Sequence, residues 1–218
     1  MDYSSALGID YRVVKEADYH GQTVRIVGGS RTFAAEIDEL WDAITNAERI
    51  SRWFAPITGD LELGGRYQLE GNAGGEITLC DPPKAFDLTW VYFENVSWVT
   101  VRLETVAGGT LLTLEHLMAK DEASEEHWKK YGPGATGVGW ELGFLGLGLH
   151  LQERRGVEKE DHEAWLESTE GKSFLTACAM SWGDAHVRSG EDQGTAMAMA
   201  EETAAFYRGE TPRSTGAT

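Results

Sequence analysis

One histidine in the sequence stands where it could do chemistry. His116 follows Leu112 and Leu114 with the period of a β-strand, so the three side chains face the same apolar side. A reference pKa near neutrality would suit a proton carrier or a polar anchor for a ligand. Catalysis would need a partner, however, and Glu115 points to the opposite face. A hydrogen-bonded core residue is the commoner role for a lone inward histidine. His116 is therefore a weak catalytic candidate.

The other histidines and the two cysteines show no metal-ligand spacing. The histidines are scattered, and Cys80 and Cys178 lie far apart with no Cys/His cluster beside them. The chain also lacks a nucleophile elbow, a phosphate-binding loop and a dinucleotide-binding glycine fingerprint. We therefore expect no metal, no cofactor and no disulfide. Unpaired cysteines suit a reducing cytoplasm.

Apolar and aromatic side chains recur at positions where they could line a cavity together with His116. Ordinary core packing explains each one taken singly, but their number favours a pocket, because amphipathic aromatic side chains are common in ligand sites. The candidate ligand-binding residues are Trp53, Tyr67, Leu69, Ile77, Trp90, Tyr92, Val101, Leu114, His116, Trp140 and Phe144.

The candidate residues lie in a succession of predicted elements that indicates an α+β fold. Residues 23–27 alternate like a strand, a helical period covers residues 34–44, and a short helix covers residues 48–54. Six short strands between residues 61 and 116 are separated by Gly- or Pro-rich turns, as in an antiparallel meander. A long helix follows over residues 136–151. It can cover the apolar face of the sheet, and curvature of the sheet around it would leave a cavity.

Glycines are unusually frequent in the predicted long helix, where each costs up to ~1 kcal/mol relative to alanine. The favoured interpretation is a close approach of the helix backbone to the sheet. A second interpretation, compatible with the first, is that small residues leave empty volume beside the helix. These positions are Gly137, Gly139, Gly143, Gly146 and Gly148.

The composition is that of a globular and strongly acidic protein. Hydrophobic residues make up 41% of the chain, and 19 basic against 36 acidic residues give a net charge of −17. Such a surface repels phosphate backbones and anionic headgroups, so we expect neither nucleic acid nor membrane as a partner. No apolar stretch approaches the ~20 residues of a membrane helix, and residues 1–15 show no secretory signal. We expect a cytoplasmic protein.

Several short motifs follow one another in a fixed order. Ala43–Phe54 runs from a helix into a T-x-x-E…W turn, and Leu63–Tyr67 is a Gly-Gly-Arg-aromatic strand start. Gly75–Trp90 is similar to a G-x-V…P-P…L-x-x-T-W segment, Gly109–His116 matches G-T-x-L-x-L-x-H, and Gly139–Trp140 matches the G-W opening of a last helix. Together they resemble the activator-of-Hsp90-ATPase-homologue-like branch of the START/Bet v 1-like (SRPBCC) superfamily.

The resemblance implies a helix-grip fold, in which a curved antiparallel sheet of about seven strands wraps around a long C-terminal helix. In the wider superfamily the cavity between them holds lipids, polyketides, hormones or other apolar molecules, and some members are cyclases or hydroxylase components. It thus implies binding of a small hydrophobic or aromatic molecule. One alternative is an enzyme, such as a cyclase, dehydratase or hydrolase, with His116 as acid or base.

A further alternative is a stress-response or co-chaperone-like interaction module. The co-chaperone that gives the family its name carries a separate N-terminal Hsp90-binding domain. The segment before residue 20 offers too little chain for such a domain, so we expect no co-chaperone role.

The resemblance divides the chain into three parts. Residues 1–19 are expected to be a loose N-terminal arm, residues 20–153 the START-like domain, and residues 154–218 a helical extension. The extension is similar to those of some actinobacterial members. Amphipathic helices of this length rarely stand alone. We expect the extension to cover a sheet face, close the pocket or mediate a homodimer.

Overall fold

The computed structural model describes residues 8–153 and 159–210 and is built around an eight-stranded antiparallel sheet. The sheet is curved and not closed, and its strands lie in the order first, second, eighth, seventh, sixth, fifth, fourth and third. The strands are β1 (Tyr11–Tyr19), β2 (Gln22–Phe33), β3 (Ile57–Gly59), β4 (Arg66–Leu69), β5 (Gly74–Asp81), β6 (Ala85–Tyr92), β7 (Asn95–Val106) and β8 (Gly109–Ala119).

Two short helices lie between β2 and β3, and five more helices follow β8 in the described residues. The helix after β8 is short and amphipathic, and the next one is long and buried. The helices are α1 (Ile37–Thr45), α2 (Ala47–Ile50), α3 (Glu122–Tyr131), α4 (Gly134–Glu153), α5 (Lys159–Glu167), α6 (Thr169–Arg188) and α7 (Gln193–Tyr207). This arrangement confirms the predicted α+β, helix-grip architecture.

The six-stranded meander is present, but its first strand lies earlier than the alternation predicts. The strand β3 covers Ile57–Gly59, whereas residues 61–63 belong to the turn between β3 and β4. The amide of Gly65 donates to the carbonyl of Glu62 over 2.8 Å and tightens this turn. Three apolar or acidic residues in alternation were too short a signal to separate strand from turn.

The first strand corrects the expectation of a loose arm over residues 1–19. Residues 1–7 lie outside the described residues, but Tyr11–Tyr19 pairs with β2 along its whole length. His20 and Gly21 connect the two strands with φ values of 52° and 78°. Positive φ at both positions is what a two-residue type I′ hairpin turn requires. Charged residues interrupt the apolar alternation of this edge strand, which is why the sequence hid it.

The glycines of α4 allow close contacts mainly with other helices and loops rather than with the sheet. A Cβ atom on Gly137 would lie 2.2 Å from the indole of Trp182 in α6, and one on Gly146 would lie 2.4 Å from the carbonyl oxygen of Trp53. Such distances leave no room for any side chain. The predicted close approach is therefore real, but its main partners were not those expected.

The described part of the extension packs on α3, on α4 and on β1. The hydroxyl of Tyr207 in α7 donates to the carbonyl of Ala135 over 2.6 Å, and Thr203 donates to the carbonyl of Tyr131 over 2.9 Å. An apolar helix that is buried all round needs such cover on the side that faces away from the sheet. The extension supplies it for α4.

Candidate ligand-binding cavity

A cavity of about 140 Å³ lies between the concave face of the sheet, α1, α2 and α4. An engineered apolar cavity of ~150 Å³ in another protein holds benzene, so this volume suits one ring. The residues that line it are Ile44, Thr45, Ile50, Trp53, Phe54, Ile57, Leu61, Tyr67, Leu69, Ile77, Cys80, Phe86, Leu88, Trp90, Val99, Val101, Leu112, Leu114, Trp140, Gly143, Phe144 and Leu147.

Nine of the eleven candidate residues from the sequence line this cavity. The structure thus brings together strand residues from β4 to β8 with the inward face of α4, as the alternation predicts. In the part of the chain that the structure describes, no residue of the extension reaches the cavity. The extension covers α4 from outside, so the expectation that it closes the pocket finds no support.

Tyr92 does not lie in the cavity. It is the last residue of β6, next to the turn at Phe93, and its side chain is 44% exposed. Its ring packs edge-on against Phe93, with centroids 4.6 Å apart. Alternation along β6 puts Tyr92 on the same face as Trp90. Tyr92 lies at the end of the β6–β7 hairpin, however, beyond the part of the strand that lines the cavity.

Polar side-chain groups around the cavity are largely bonded within the protein. The indole N–H of Trp53 donates to the carbonyl of Ala43 over 3.0 Å, and the hydroxyl of Tyr67 donates to the carbonyl of Thr89 over 2.9 Å. Burial also raises the pKa of Tyr67 above the usual tyrosine range, so its hydroxyl stays neutral. Neither group is free to bind a ligand.

No charged side chain lines the cavity in the described residues. A buried ion without a partner is costly, so an ionised ligand would lose its hydration here without compensation. The cavity is therefore built for neutral, apolar groups.

His116 is buried beside the cavity rather than in its lining, and both of its ring nitrogens have partners. The indole N–H of Trp140 donates to Nδ1 over 3.2 Å, and Nε2 lies 2.9 Å from the hydroxyl oxygen of Ser97. Because an indole can only donate, Nδ1 must accept, which assigns the proton of the neutral ring to Nε2. Ser97 in turn donates to the carbonyl of Trp90 over 3.0 Å.

Burial lowers the pKa of His116 to about 4, so the ring is neutral at physiological pH. A neutral imidazole satisfies the whole chain of hydrogen bonds from Trp140 to the carbonyl of Trp90. An acid or base in this place would have to break that chain to reach a ligand.

A bulge in β5 changes which of its side chains face the cavity. Simple alternation along the strand would place Ile77 and Leu79 on the same face, but the register of β5 against β6 shifts between these two residues. The bulge turns Leu79 outward, where it is 37% exposed, and brings Cys80 to the cavity. An extra residue in one strand reverses the faces beyond it, and no feature of the residues themselves announces it.

The described ranges 8–153 and 159–210 contain no group of three or more His, Cys, Asp and Glu side chains placed to hold a metal ion. None of the described helices combines the length and the apolar character needed to cross a bilayer.

The sequence profile of the family described as "Activator of Hsp90 ATPase homolog 1-like protein" matches residues 34–147, just over half of the chain. The chain belongs to this family. The matched segment begins directly after β2 and ends within α4, so it contains the cavity lining and His116. Among curated proteins, none matches the chain significantly.

Solved structures extend the similarity beyond this segment. The crystal structure of CalU16 from Micromonospora echinospora is 31% identical, with a TM-score of 0.60, and covers 78% of this chain and 96% of CalU16. Its solution NMR structure is 30% identical, with a TM-score of 0.67 and coverages of 82% and 96%. MLL2253 from Mesorhizobium loti shares the fold. It is 22% identical, with a TM-score of 0.51, and the match covers 59% of this chain and 98% of MLL2253. The SRPBCC family, to which this fold belongs, is generally associated with the binding of small hydrophobic ligands.

Proposed function

We propose that the protein binds a small, neutral, apolar or aromatic molecule in the cavity between the sheet and α4. The observation that carries the proposal is the lining, which is aromatic and aliphatic and holds no charged side chain in the described residues. Burial of apolar surface would supply the binding free energy, at roughly 25 cal/mol per Å². The family association with small hydrophobic ligands supports the same conclusion.

The ligand is expected to be neutral rather than a fatty acid or another anion. A carboxylate needs a cation or several hydrogen-bond donors when it leaves water. Trp53 and Trp140 both use their indole N–H on protein acceptors. The net charge of −17 further disfavours approach of an anion. It also leaves nucleic acids and anionic membranes out of the proposal.

Catalysis by His116 has less support than binding. Its two nitrogens are engaged with Trp140 and Ser97, and its ring lies behind the cavity wall. Proton transfer needs a group within hydrogen-bond reach of the reacting atom. The proposal therefore gives His116 a supporting role behind the wall and no role in a reaction.

Two free cysteines, Cys80 and Cys178, suit a reducing compartment, so the proposed location is the cytoplasm.

Toluene and benzoate form a matched pair of probes, because they share one ring and differ in charge. We expect toluene to bind in isothermal titration calorimetry and benzoate to bind at least about a hundredfold more weakly, since its carboxylate would be desolvated without a partner. Equal affinities, or no toluene binding at all, would contradict the proposal. Native mass spectrometry of protein from its natural host would then identify the resident molecule.

A variant that fills the cavity separates binding inside it from binding elsewhere. Gly143 lines the cavity, and a Cβ atom there would make only ordinary contacts, 3.6 Å from Phe54. Gly143→Leu should keep the fold, because leucine favours the helix more than glycine does. It should abolish toluene binding, since its side chain occupies the ligand's volume. Unchanged toluene affinity in this variant would place the probe outside the cavity.

A further inference from the structure

Two tryptophans from different elements form one end of the cavity. The indoles of Trp90 in β6 and Trp140 in α4 meet edge to face, with centroids 5.3 Å apart and planes at 60°. His116 touches both, at 5.9 Å from the Trp90 ring and 6.0 Å from the Trp140 ring. The space available to a ligand at this end depends on where these two indoles stand.

A continuous chain of hydrogen bonds links the indole of Trp140 to the strand that carries Trp90. Trp140 donates to His116, His116 donates to Ser97, and Ser97 donates to the backbone carbonyl of Trp90. The first link fixes the rotation of the Trp140 indole. The last adds a side-chain bond to the backbone pairing of Ser97 with Trp90, which already joins β7 to β6. All donors are used in one direction, so no member can turn without leaving a partly buried polar group unpaired, which is unfavourable.

We infer that His116, together with Ser97, sets the size limit of the ligand by holding the Trp90–Trp140 wall in place. The inference rests on the proposed function. A cavity of about 140 Å³ suits one ring, and two fused rings need the wall to move. His116 is thus a positioning residue that acts through Trp140, and it discriminates between ligands by the cost of displacing that indole.

The test compares the affinities of toluene and naphthalene, which differ by one fused ring and carry no charge. The wild-type protein should prefer toluene. His116→Phe keeps an aromatic ring but removes the acceptor, so Trp140 is released and the naphthalene-to-toluene affinity ratio should rise by about tenfold. His116→Asn retains an acceptor on the side of Trp140 and should restore most of the wild-type ratio. Calorimetry or NMR titration gives both affinities.

The indole resonance of Trp140 reports on the hydrogen bond independently of any ligand. In ¹H–¹⁵N spectra its Nε1–H should be shifted downfield and protected from exchange in wild-type protein and in His116→Asn, and lose both features in His116→Phe. Ser97→Ala breaks the chain one link further on and keeps the bond from Trp140 to His116, so it should move the affinity ratio in the same direction but by less than His116→Phe does. It serves as the test if His116→Phe fails to fold.

The outcomes distinguish the inference from the proposed function. If neither probe binds the wild-type protein, the proposed function fails and the inference with it. If both probes bind and His116→Phe or Ser97→Ala weakens them in parallel with no change in ratio, the residues serve stability alone and the inference is overturned. A changed ratio with rescue by His116→Asn supports it.

Discussion

Trp182 of the extension lies against Gly137 of α4, so close that a Cβ atom on Gly137 would stand 2.2 Å from the indole. Trp182 is 1% exposed and belongs to the same hydrophobic core as Val138 and Leu145 of α4. The core of the START-like domain therefore continues into the extension. Because α4 also carries the cavity residues Trp140 and Phe144, about one and two turns beyond Gly137, contacts with α6 hold the helix that forms the cavity wall.

Gly137→Ala should destabilise the protein although alanine is the better helix former. The helix gains up to about 1 kcal/mol in propensity, but the methyl group collides with a buried indole that cannot move without disturbing the core. We expect a net loss of roughly 1–3 kcal/mol in urea unfolding.

Gly143→Ala is the matched control for this experiment, because it lies in the same helix and its Cβ would make only ordinary contacts. It should leave the free energy of unfolding unchanged or raise it by up to about 1 kcal/mol. Equal effects of the two substitutions would mean that the extension does not dock on Gly137 in solution.

The sequence predicts the general layout of the cavity well because the cavity depends on simple periods. Residues such as Leu114 and Trp90 lie on strand faces whose alternation can be counted, and Phe144 lies on a helical stripe. The partner of Gly137 could not be predicted, because a glycine marks a close approach without naming the residue that approaches. The same limit applies to Cys80, whose inward position depends on a bulge set by the pairing of β5 with β6.

Cys80 offers a direct probe of the occupied cavity. Its thiol lines the cavity and is partly accessible, whereas Cys178 is buried at 3% exposure in α6, where burial raises its pKa above the usual thiol range. A small thiol reagent should therefore modify Cys80 much faster than Cys178. Saturating toluene should slow the reaction at Cys80 several-fold, as followed by mass spectrometry, and leave Cys178 unaffected. Equal protection of both cysteines would indicate general stabilisation instead of occupation of the cavity.

The ion pair between Arg12 and Glu141 should contribute far more to stability than a surface pair. Glu141 is 1% exposed in α4, and its carboxylate accepts from Nε of Arg12 over 2.6 Å and from the amide of Ile9 over 3.0 Å. Arg12→Met would leave the carboxylate buried without its cation. We expect a loss of about 3–5 kcal/mol at pH 7.

Arg102→Met is the control, since Arg102 and Asp87 pair at the surface with Arg102 about half exposed. Its removal should cost less than about 1 kcal/mol. Burial raises the pKa of Glu141, and the loss of Arg12 raises it further. The defect of Arg12→Met should therefore shrink as pH falls through that raised pKa and the carboxyl takes up a proton. A defect that stays constant as the pH is lowered from 7 to the usual carboxyl range would contradict this account.

His116 should make the protein less stable in acid within a definite pH range. Burial lowers its pKa to about 4 in the folded state, whereas an unfolded histidine titrates near ~6.5. Between these values the unfolded chain binds more protons than the folded one, so the free energy of unfolding falls as pH falls. The contribution is complete above pH ~6.5 and lost by pH ~4, and its upper size is about 3 kcal/mol.

His116→Asn should lose correspondingly less stability between pH 7 and pH 4, because asparagine does not titrate. Urea unfolding of both proteins across this range isolates His116, since His127, His162 and His186, whose pKa values are also lowered by burial, contribute equally to each and cancel. Parallel pH profiles would mean that burial does not lower the pKa of His116. The ring would then take up a proton below pH ~6.5, and the bond from Trp140 to Nδ1 would lose its acceptor there.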